Sequence, residues 1–195
     1  AVSLGPPRDG FSHSLAEKKS VQLHLWAPPG DRPSTVIDAS TVDEARWLKD
    51  MANQGGIAHI LRTARIRGLW RAARLLTHLR KAYYRHLDSD MIHVNWFQNA
   101  IPLWGLCKPA VISVLGSDYG LLKLPGMIPL LRKIIRQRRC ILAPNADWMV
   151  KGLDKHFGDI AEIQSIPFGV RDMWFDVERK PNLNIPRKWI AVLRV

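Results

Sequence analysis

Apolar residues recur along the chain at two spacings, which divide it into predicted strands and helices. Short apolar or alternating runs bounded by Pro, Gly or Asn are typical of strands. They lie at residues 1–4, 21–26, 91–96, 110–115, 140–143, 161–166 and 188–195, with a weaker candidate at 56–61. Helical spacing covers residues 41–51, 62–87, 127–139 and a segment from Asn145 or Ala146 to Phe157, with shorter candidates at 11–19 and 102–106.

Strands that alternate with helices predict an α/β fold, a Rossmann-like parallel sheet with flanking helices. Ligands of such sheets bind at the carboxyl ends of the strands, near a switch in strand order. The loops that we expect to carry a site are residues 5–10, 95–102, 116–126, 144–147 and 167–175.

The end of the chain predicts a domain boundary. Residues 181–187 begin with Pro181 and contain Pro186, and an apolar run follows at 188–195. We therefore expect residues 1–180 to form one domain, 181–187 to be a linker and 188–195 to be the first strand of a truncated second domain, which would make the chain a fragment.

Residues 62–87 have the clearest helical periodicity. Apolar residues recur in steps of three and four at Leu69, Ala72, Leu76, Leu79, Tyr83 and Leu87. Basic residues recur at the same steps, and we call the following five the basic stripe: Arg67, Arg71, Arg74, Lys81 and Arg85. Because Arg67 and Leu69 are about 200° apart on a helix, the apolar row is predicted to pack on the protein and the basic stripe to face outward.

The distribution of charge along the chain indicates which classes of partner the protein attracts. The 195 residues include 29 Lys and Arg against 17 Asp and Glu, a formal net charge of +12. No acidic residue occurs between Asp50 and Asp88, or between Asp118 and Asp147. Such stretches attract nucleic acid, an anionic membrane or phosphorylated ligands. A solvated helix face explains a single run of charge equally well.

Several classes of protein are disfavoured. No apolar run reaches the ~18 residues of a membrane-spanning helix. The two cysteines, Cys107 and Cys140, form neither a C-x-x-C motif nor a disulfide framework, as expected of a protein from a reducing cytoplasm. The signatures G-x-G-x-x-G, Walker A, G-x-S-x-G and H-E-x-x-H are absent. His86, Asp88, Asp90 and His93 span a predicted helix end and strand start, so we expect no metal there.

The segment Leu115-Gly-Ser-Asp118 follows a predicted buried strand and is the best local candidate for a binding loop. Glycine allows the backbone to approach a ligand closely, and the Ser and Asp side chains can hold hydroxyl groups. An ordinary turn stabilised by Ser or Asp explains the segment equally well.

The order of the motifs resembles that of a known family. Asp90-Met-Ile-His-Val-Asn-Trp96, Lys108-Pro-Ala-Val-Ile-Ser-Val-Leu-Gly-Ser-Asp118, a basic helix, Cys140-Ile-Leu-Ala-Pro-Asn145 and Ile166-Pro-Phe-Gly-Val170 follow one another. Together they resemble the N-terminal domain of the group 1 (family 4) glycosyltransferases, which have the GT-B fold and show D-x-x-H-x-H-W, K-P-x-x-x-T-x-H-G-S-D and I-P-N-G-V-D motifs. Asn95, Leu115 and Phe168 depart from these motifs.

The resemblance implies a retaining, metal-independent glycosyltransferase that moves a sugar from a nucleotide donor to a glycan or lipid-linked acceptor. The donor is a substrate, and no cofactor is implied. The expected substrate-binding residues are Arg8, Asp9, Gly10, Asn95, Trp96, Gly116, Ser117, Asp118 and Asn145. The catalytic residues stay unassigned, because Leu115 occupies the position of a family histidine.

The resemblance also gives the basic stripe a role, which is to hold a peripheral enzyme against the anionic inner face of a membrane. The donor-binding features belong to the second domain, so residues 1–195 alone are expected to be inactive. Two alternatives stay open. One is a basic nucleic-acid-binding α/β domain, which has only the charge in its favour. The other is a non-catalytic relative of the glycosyltransferases, which Leu115 would explain.

Overall fold

A computed structural model of the protein describes residues 2–3, 21–30 and 32–167, and the side chains of residues 2–3 and 56–65 are not described. The predicted loop 5–10, helix 11–19, linker 181–187 and strand 188–195 lie outside this part, as do Arg8, Asp9 and Gly10. The statements that follow concern the described residues.

Seven strands form two parallel sheets. They are β1 Val2–Ser3, β2 Leu23–Leu25, β3 Val36–Asp38, β4 Ile92–Asn95, β5 Ala110–Val114, β6 Cys140–Pro144 and β7 Glu162–Ile163. One sheet has the order β1-β2-β3 and the other β4-β5-β6-β7. Because β1 contacts β4, the strands follow the order 3-2-1-4-5-6-7. This is the order of doubly wound α/β proteins, with its switch between β1 and β4, and the prediction of a Rossmann-like parallel sheet is confirmed.

Four α-helices and three short 3₁₀ helices connect the strands. The α-helices are α1 Val42–Asn53, α2 Gly56–Arg85, α3 Met127–Ile135 and α4 Val150–Phe157. The 3₁₀ helices are Phe97–Leu103, Asp118–Lys123 and Asp147–Met149, each of which follows a strand of the second sheet. The helix predicted at 127–139 ends four residues early, and the predicted turn at 102–106 belongs to the 3₁₀ helix that begins at Phe97.

Residues 31–61 are where the prediction was weakest. The strand expected at 56–61 is wrong, since α2 begins at Gly56. A short apolar run fits a strand or a helix, and here Gly55, with φ of 85°, reverses the chain between two helices that pack on each other. Strand β3 was missed because it has only three residues, none of them buried.

Among the side chains of α2 that the structure describes, those of residues 66–85, the ones that join the core lie in the second half of the helix. Leu75, Leu79, Ala82 and Tyr83 are buried with the strands β4, β5 and β6. The predicted apolar row is therefore partly wrong, because Leu69 is 64% exposed and Leu87 is also exposed. A 30-residue helix is about 45 Å long, far longer than these short strands, so its periodicity continues where no sheet covers it.

Glu44 links the first sheet to both long helices. Its carboxylate is only 4% exposed and accepts hydrogen bonds from Trp26 Nε1 at 3.2 Å, the Thr41 N–H at 3.0 Å and Arg85 Nη2 at 2.6 Å. Thr41 returns a side-chain bond to the Glu44 N–H, which forms a capping box at the start of α1. Burial raises the pKa of Glu44, but the bonds from Arg85, Thr41 and Trp26 outweigh it and lower the pKa to about 2.

We expect Glu44→Gln to destabilise the protein by about 2–3 kcal/mol at neutral pH, because the buried side of the contact with Arg85 loses its charge. A carboxyl whose folded pKa lies below its ordinary value of 4.5 stabilises the fold above that pH and loses the effect as pH falls towards 2. Urea unfolding from pH 7 to pH 3 should therefore show the two proteins converging in acid. Asp43→Asn, at the exposed neighbouring position, is the control, and a pH-independent gap would contradict the assignment.

Candidate functional site

The candidate site lies at the carboxyl ends of β4, β5 and β6. These strands are neighbours and parallel, so their carboxyl ends meet at one edge. Asn95 pairs in register with Ser113, and the Asn145 N–H donates to Val114 O at 3.1 Å. The structure thus brings six of the predicted residues to the same edge, beside the switch in strand order, namely Asn95, Trp96, Gly116, Ser117, Asp118 and Asn145.

Asp118 fixes the two central loops of this edge. Its side chain is 4% exposed, with Oδ2 accepting from the Phe97 N–H at 2.9 Å and Oδ1 accepting from the Leu115 N–H at 2.8 Å. Burial raises the pKa of this carboxyl, and the backbone N–H donors act in the opposite direction. Both oxygens are engaged with backbone, so Asp118 positions the loops that follow β4 and β5, and Ser117 beside it is the exposed residue.

Two residues of these loops have unusual backbone angles. Trp96 has φ of 68° and Gly116 has φ of 93°, and Trp96 is the single non-glycine residue with positive φ in the described part of the chain. Such a conformation costs a bulky residue about 1–3 kcal/mol and persists only where its surroundings impose it. Here the Trp96 N–H is held by Ser113 O at 2.9 Å and the next N–H by Asp118.

A layer of polar side chains lies beneath this edge. His93 Nε2 is 2.8 Å from Ser113 Oγ, and both side chains are buried. Asn99 Nδ2 donates to Asn95 O at 2.7 Å. Asn95, expected to bind substrate, is itself buried. His93 and Asn95 therefore form part of the floor of the site, and sequence reasoning had no signal for the His93–Ser113 contact.

Sequence reasoning also missed an aromatic pair at this edge. Trp148, in the 3₁₀ helix after β6, is 65% exposed, and its ring lies 5.2 Å from that of Tyr119 at an interplanar angle of 80°. Both residues follow the carboxyl ends of strands. Tyr119 lies within the predicted loop 116–126 and Trp148 directly after the predicted loop 144–147, and these positions could have identified them.

The chemistry of this edge is that of hydroxyl and amide groups. In the residues that the structure describes, no three His, Cys, Asp or Glu side chains are grouped as metal ligands. A cavity of about 680 Å³ lies elsewhere, at the amino ends of the strands, where Met91, Pro109 and Arg139 are part of its wall. Residues at the starts of the strands form much of its wall. It lies opposite the edge at which parallel α/β sheets bind ligands, so it is the weaker candidate.

The basic stripe is less uniform than predicted. Arg85 is bound to Glu44, Arg71 donates to Gln54, and the Arg74 guanidinium lies 5.4 Å above the Trp47 ring. Arg67 and Lys81 are exposed. All five side chains are exposed, as predicted, but Arg85 also makes a contact between α2 and the start of α1.

An exposed apolar row adjoins the basic stripe. Ile66, Leu69 and Trp70 lie on one side of α2, and Trp70 is 75% exposed. In the described part of the chain, no helix is both long and apolar enough to cross a membrane. Residues 66–71 of α2 therefore present apolar and cationic side chains together on an exposed surface.

We expect Asp118→Asn to destabilise the protein by about 1–3 kcal/mol, because one amide NH₂ would then face a backbone N–H donor. Ser117→Ala, at the exposed neighbouring position, should change stability by less than about 0.5 kcal/mol. Chemical unfolding at pH 7 measures both. Equal stability of Asp118→Asn and the parent protein would show that these hydrogen bonds do not hold the loops.

No protein-family model and no characterised protein matches the chain. The resemblance to the group 1 glycosyltransferases therefore depends on the order and spacing of the motifs in this sequence.

Proposed function

We propose that the chain is the acceptor-binding half of a GT-B glycosyltransferase, which transfers a sugar from a nucleotide donor to a glycan or lipid-linked acceptor. The observation that carries the proposal is the geometry of Leu115–Asp118. This loop follows a buried strand near the switch in strand order, and Asp118 holds it rigidly beside Trp96. Pre-formed loops of this kind at this edge are where α/β proteins bind ligands.

The proposed roles follow from exposure. Ser117 and the backbone of Gly116 would meet acceptor hydroxyls, with Asn145 on the next loop and Trp96 on the previous one. Arg8, Asp9 and Gly10 are proposed to meet the donor phosphates, by the resemblance alone. In the described loop after β5, Leu115 is apolar and the Asp118 carboxylate is engaged with backbone N–H groups, so neither is assigned as a proton acceptor.

The alternatives differ in what supports them. A non-catalytic relative has Leu115 in its favour, and activity measurements separate it from the enzyme. Nucleic-acid binding has the net charge of +12 in its favour. Two of the arginines are engaged by carboxylates, Arg85 by Glu44 at 2.6 Å and Arg132 Nη1 by Asp159 at 2.7 Å, so fewer guanidinium groups are free to contact phosphates directly.

The first test uses a matched pair of bulky substitutions in the full-length enzyme. Ser117→Trp would fill the proposed acceptor site, whereas Ser34→Trp places the same ring in the exposed turn before β3. The assay measures nucleotide release from a panel of nucleotide sugars, which we expect the parent enzyme to show. Ser117→Trp should reduce acceptor-dependent turnover at least about tenfold, which corresponds to a loss of about 1.4 kcal/mol of transition-state binding. Ser34→Trp should leave the turnover unchanged.

Residues 1–195 alone should be inactive in the same assay. Two results would overturn the proposal. One is robust turnover by this piece without a donor domain. The other is full activity of Ser117→Trp in a protein that remains folded.

We further propose that the exposed side of α2 between residues 66 and 81 binds an anionic membrane surface, which would place the enzyme on the inner face of the membrane near a lipid-linked acceptor. Apolar Leu69 and Trp70 beside cationic Arg67 and Arg71 match the side chains of interfacial helices, whose apolar groups enter the lipid while the cations meet the headgroups. A nucleic acid would use the cations alone.

The membrane proposal is tested by co-sedimentation with vesicles that contain or lack phosphatidylglycerol. Arg67, Arg71 and Lys81 changed together to Gln should weaken binding to anionic vesicles at least about tenfold, because each cation contributes roughly 1 kcal/mol. Leu69→Ser with Trp70→Ser should weaken it as well. Lys123, Arg136 and Arg139 changed to Gln remove the same charge elsewhere and should have little effect. Equal loss from both charge sets, or tight duplex binding at physiological salt, would favour a non-specific polyanion binder.

A further inference from the structure

We propose that Trp148, braced by Tyr119, is an aromatic platform on which a pyranose ring of the acceptor glycan packs. The inference rests on the proposed function for its ligand class. It adds a binding surface that neither the motifs nor the family resemblance assigns, since Trp148 lies outside all of them. The ring is 65% exposed at the edge where the candidate site lies.

The ring of Tyr119 fixes the orientation of the Trp148 ring. Tyr119 meets it nearly at a right angle, the geometry that aromatic pairs prefer. Tyr119 in turn follows Asp118 directly, and its N–H donates to Gly116 O at 3.2 Å. The platform is therefore attached to the same loop that Asp118 anchors.

Glycine at position 152 makes room for the brace. A Cβ atom built there would overlap the Tyr119 hydroxyl and lie 3.1 Å from the ring carbon that bears it. Tyr119 thus lies flush against the first turns of α4, between Gly152 and Trp148. A side chain at position 152 would displace Tyr119, which contacts the exposed Trp148 ring.

The surroundings of Trp148 favour a sugar. The neighbouring Asp147 Oδ1 accepts from Ser165 Oγ at 2.6 Å, which ties the loop after β6 to the segment after β7. Asn145 and Ser117 lie on the adjoining loop ends. An aromatic face with polar groups at its rim matches a pyranose, whose C–H face is apolar and carries slight positive charge while its hydroxyls point to the rim.

The test is binding of the full-length protein to a microarray of pyranose glycans. Trp148→Ala should reduce the strongest signals at least about tenfold, a loss of about 1.4 kcal/mol, while Trp148→Phe should keep them within about threefold. Trp104→Ala is the matched control, because Trp104 is a partly exposed tryptophan that lies under Lys133 away from this edge. Thermal unfolding should be nearly unchanged in all three variants.

The brace has its own test. Gly152→Ala should lower glycan binding by displacing Tyr119, and adding Tyr119→Phe, which removes the overlapping hydroxyl, should restore part of it.

The platform is overturned if Trp148→Ala binds glycans as well as the parent protein does, or if the parent protein binds no glycan. If nucleotide release fails with every donor while glycan binding depends on Trp148, the transferase proposal fails and the platform stands. If release occurs and Trp148→Ala binds glycans normally, the reverse holds.

Discussion

The buried carboxylate of Asp118 is the constraint on which the candidate site depends. A carboxylate removed from water must be matched by hydrogen-bond donors, and the donors here are the N–H groups of Leu115 and Phe97 in two different loops. Meeting this requirement joins the ends of β4 and β5, sustains the positive φ of Trp96 and sets the start of the helix that carries Tyr119. Ser117 and Trp148 lie on the outer side of this framework and are exposed.

A second buried carboxylate organises the other end of the domain in a similar manner. Glu44 combines an N-terminal helix cap with contacts to Trp26 and Arg85, so one side chain connects β2, α1 and α2. The two acids differ in their partners. Arg85 gives Glu44 a full opposite charge and a low pKa, whereas Asp118 has backbone donors only and a raised pKa.

Charge read along the sequence overstates what a partner can reach. The acid-free stretches contain Arg85 and Arg132, yet both find carboxylates that are 41 and 27 residues away along the chain. Arg138 is buried and donates to Leu103 O. The remaining cations of α2 lie beside the exposed apolar side chains of Ile66, Leu69 and Trp70, of which the periodicity had assigned Leu69 to the core.

The sequence alone determined the class of fold, the elements from Met91 to Ile166 within a few residues, and the edge at which the candidate site lies. It could do so because buried parallel strands are continuous apolar runs, and parallel strands place their carboxyl ends together. It could not determine β3, the start of α2 or which of the described side chains of α2 are covered, because short apolar runs and helical periodicity are the same with or without a neighbour. Only the tertiary structure decided that Asp118 binds backbone, that Arg85 binds Glu44 and that Trp148 stands on Tyr119, since each contact joins residues that sequence spacing does not relate.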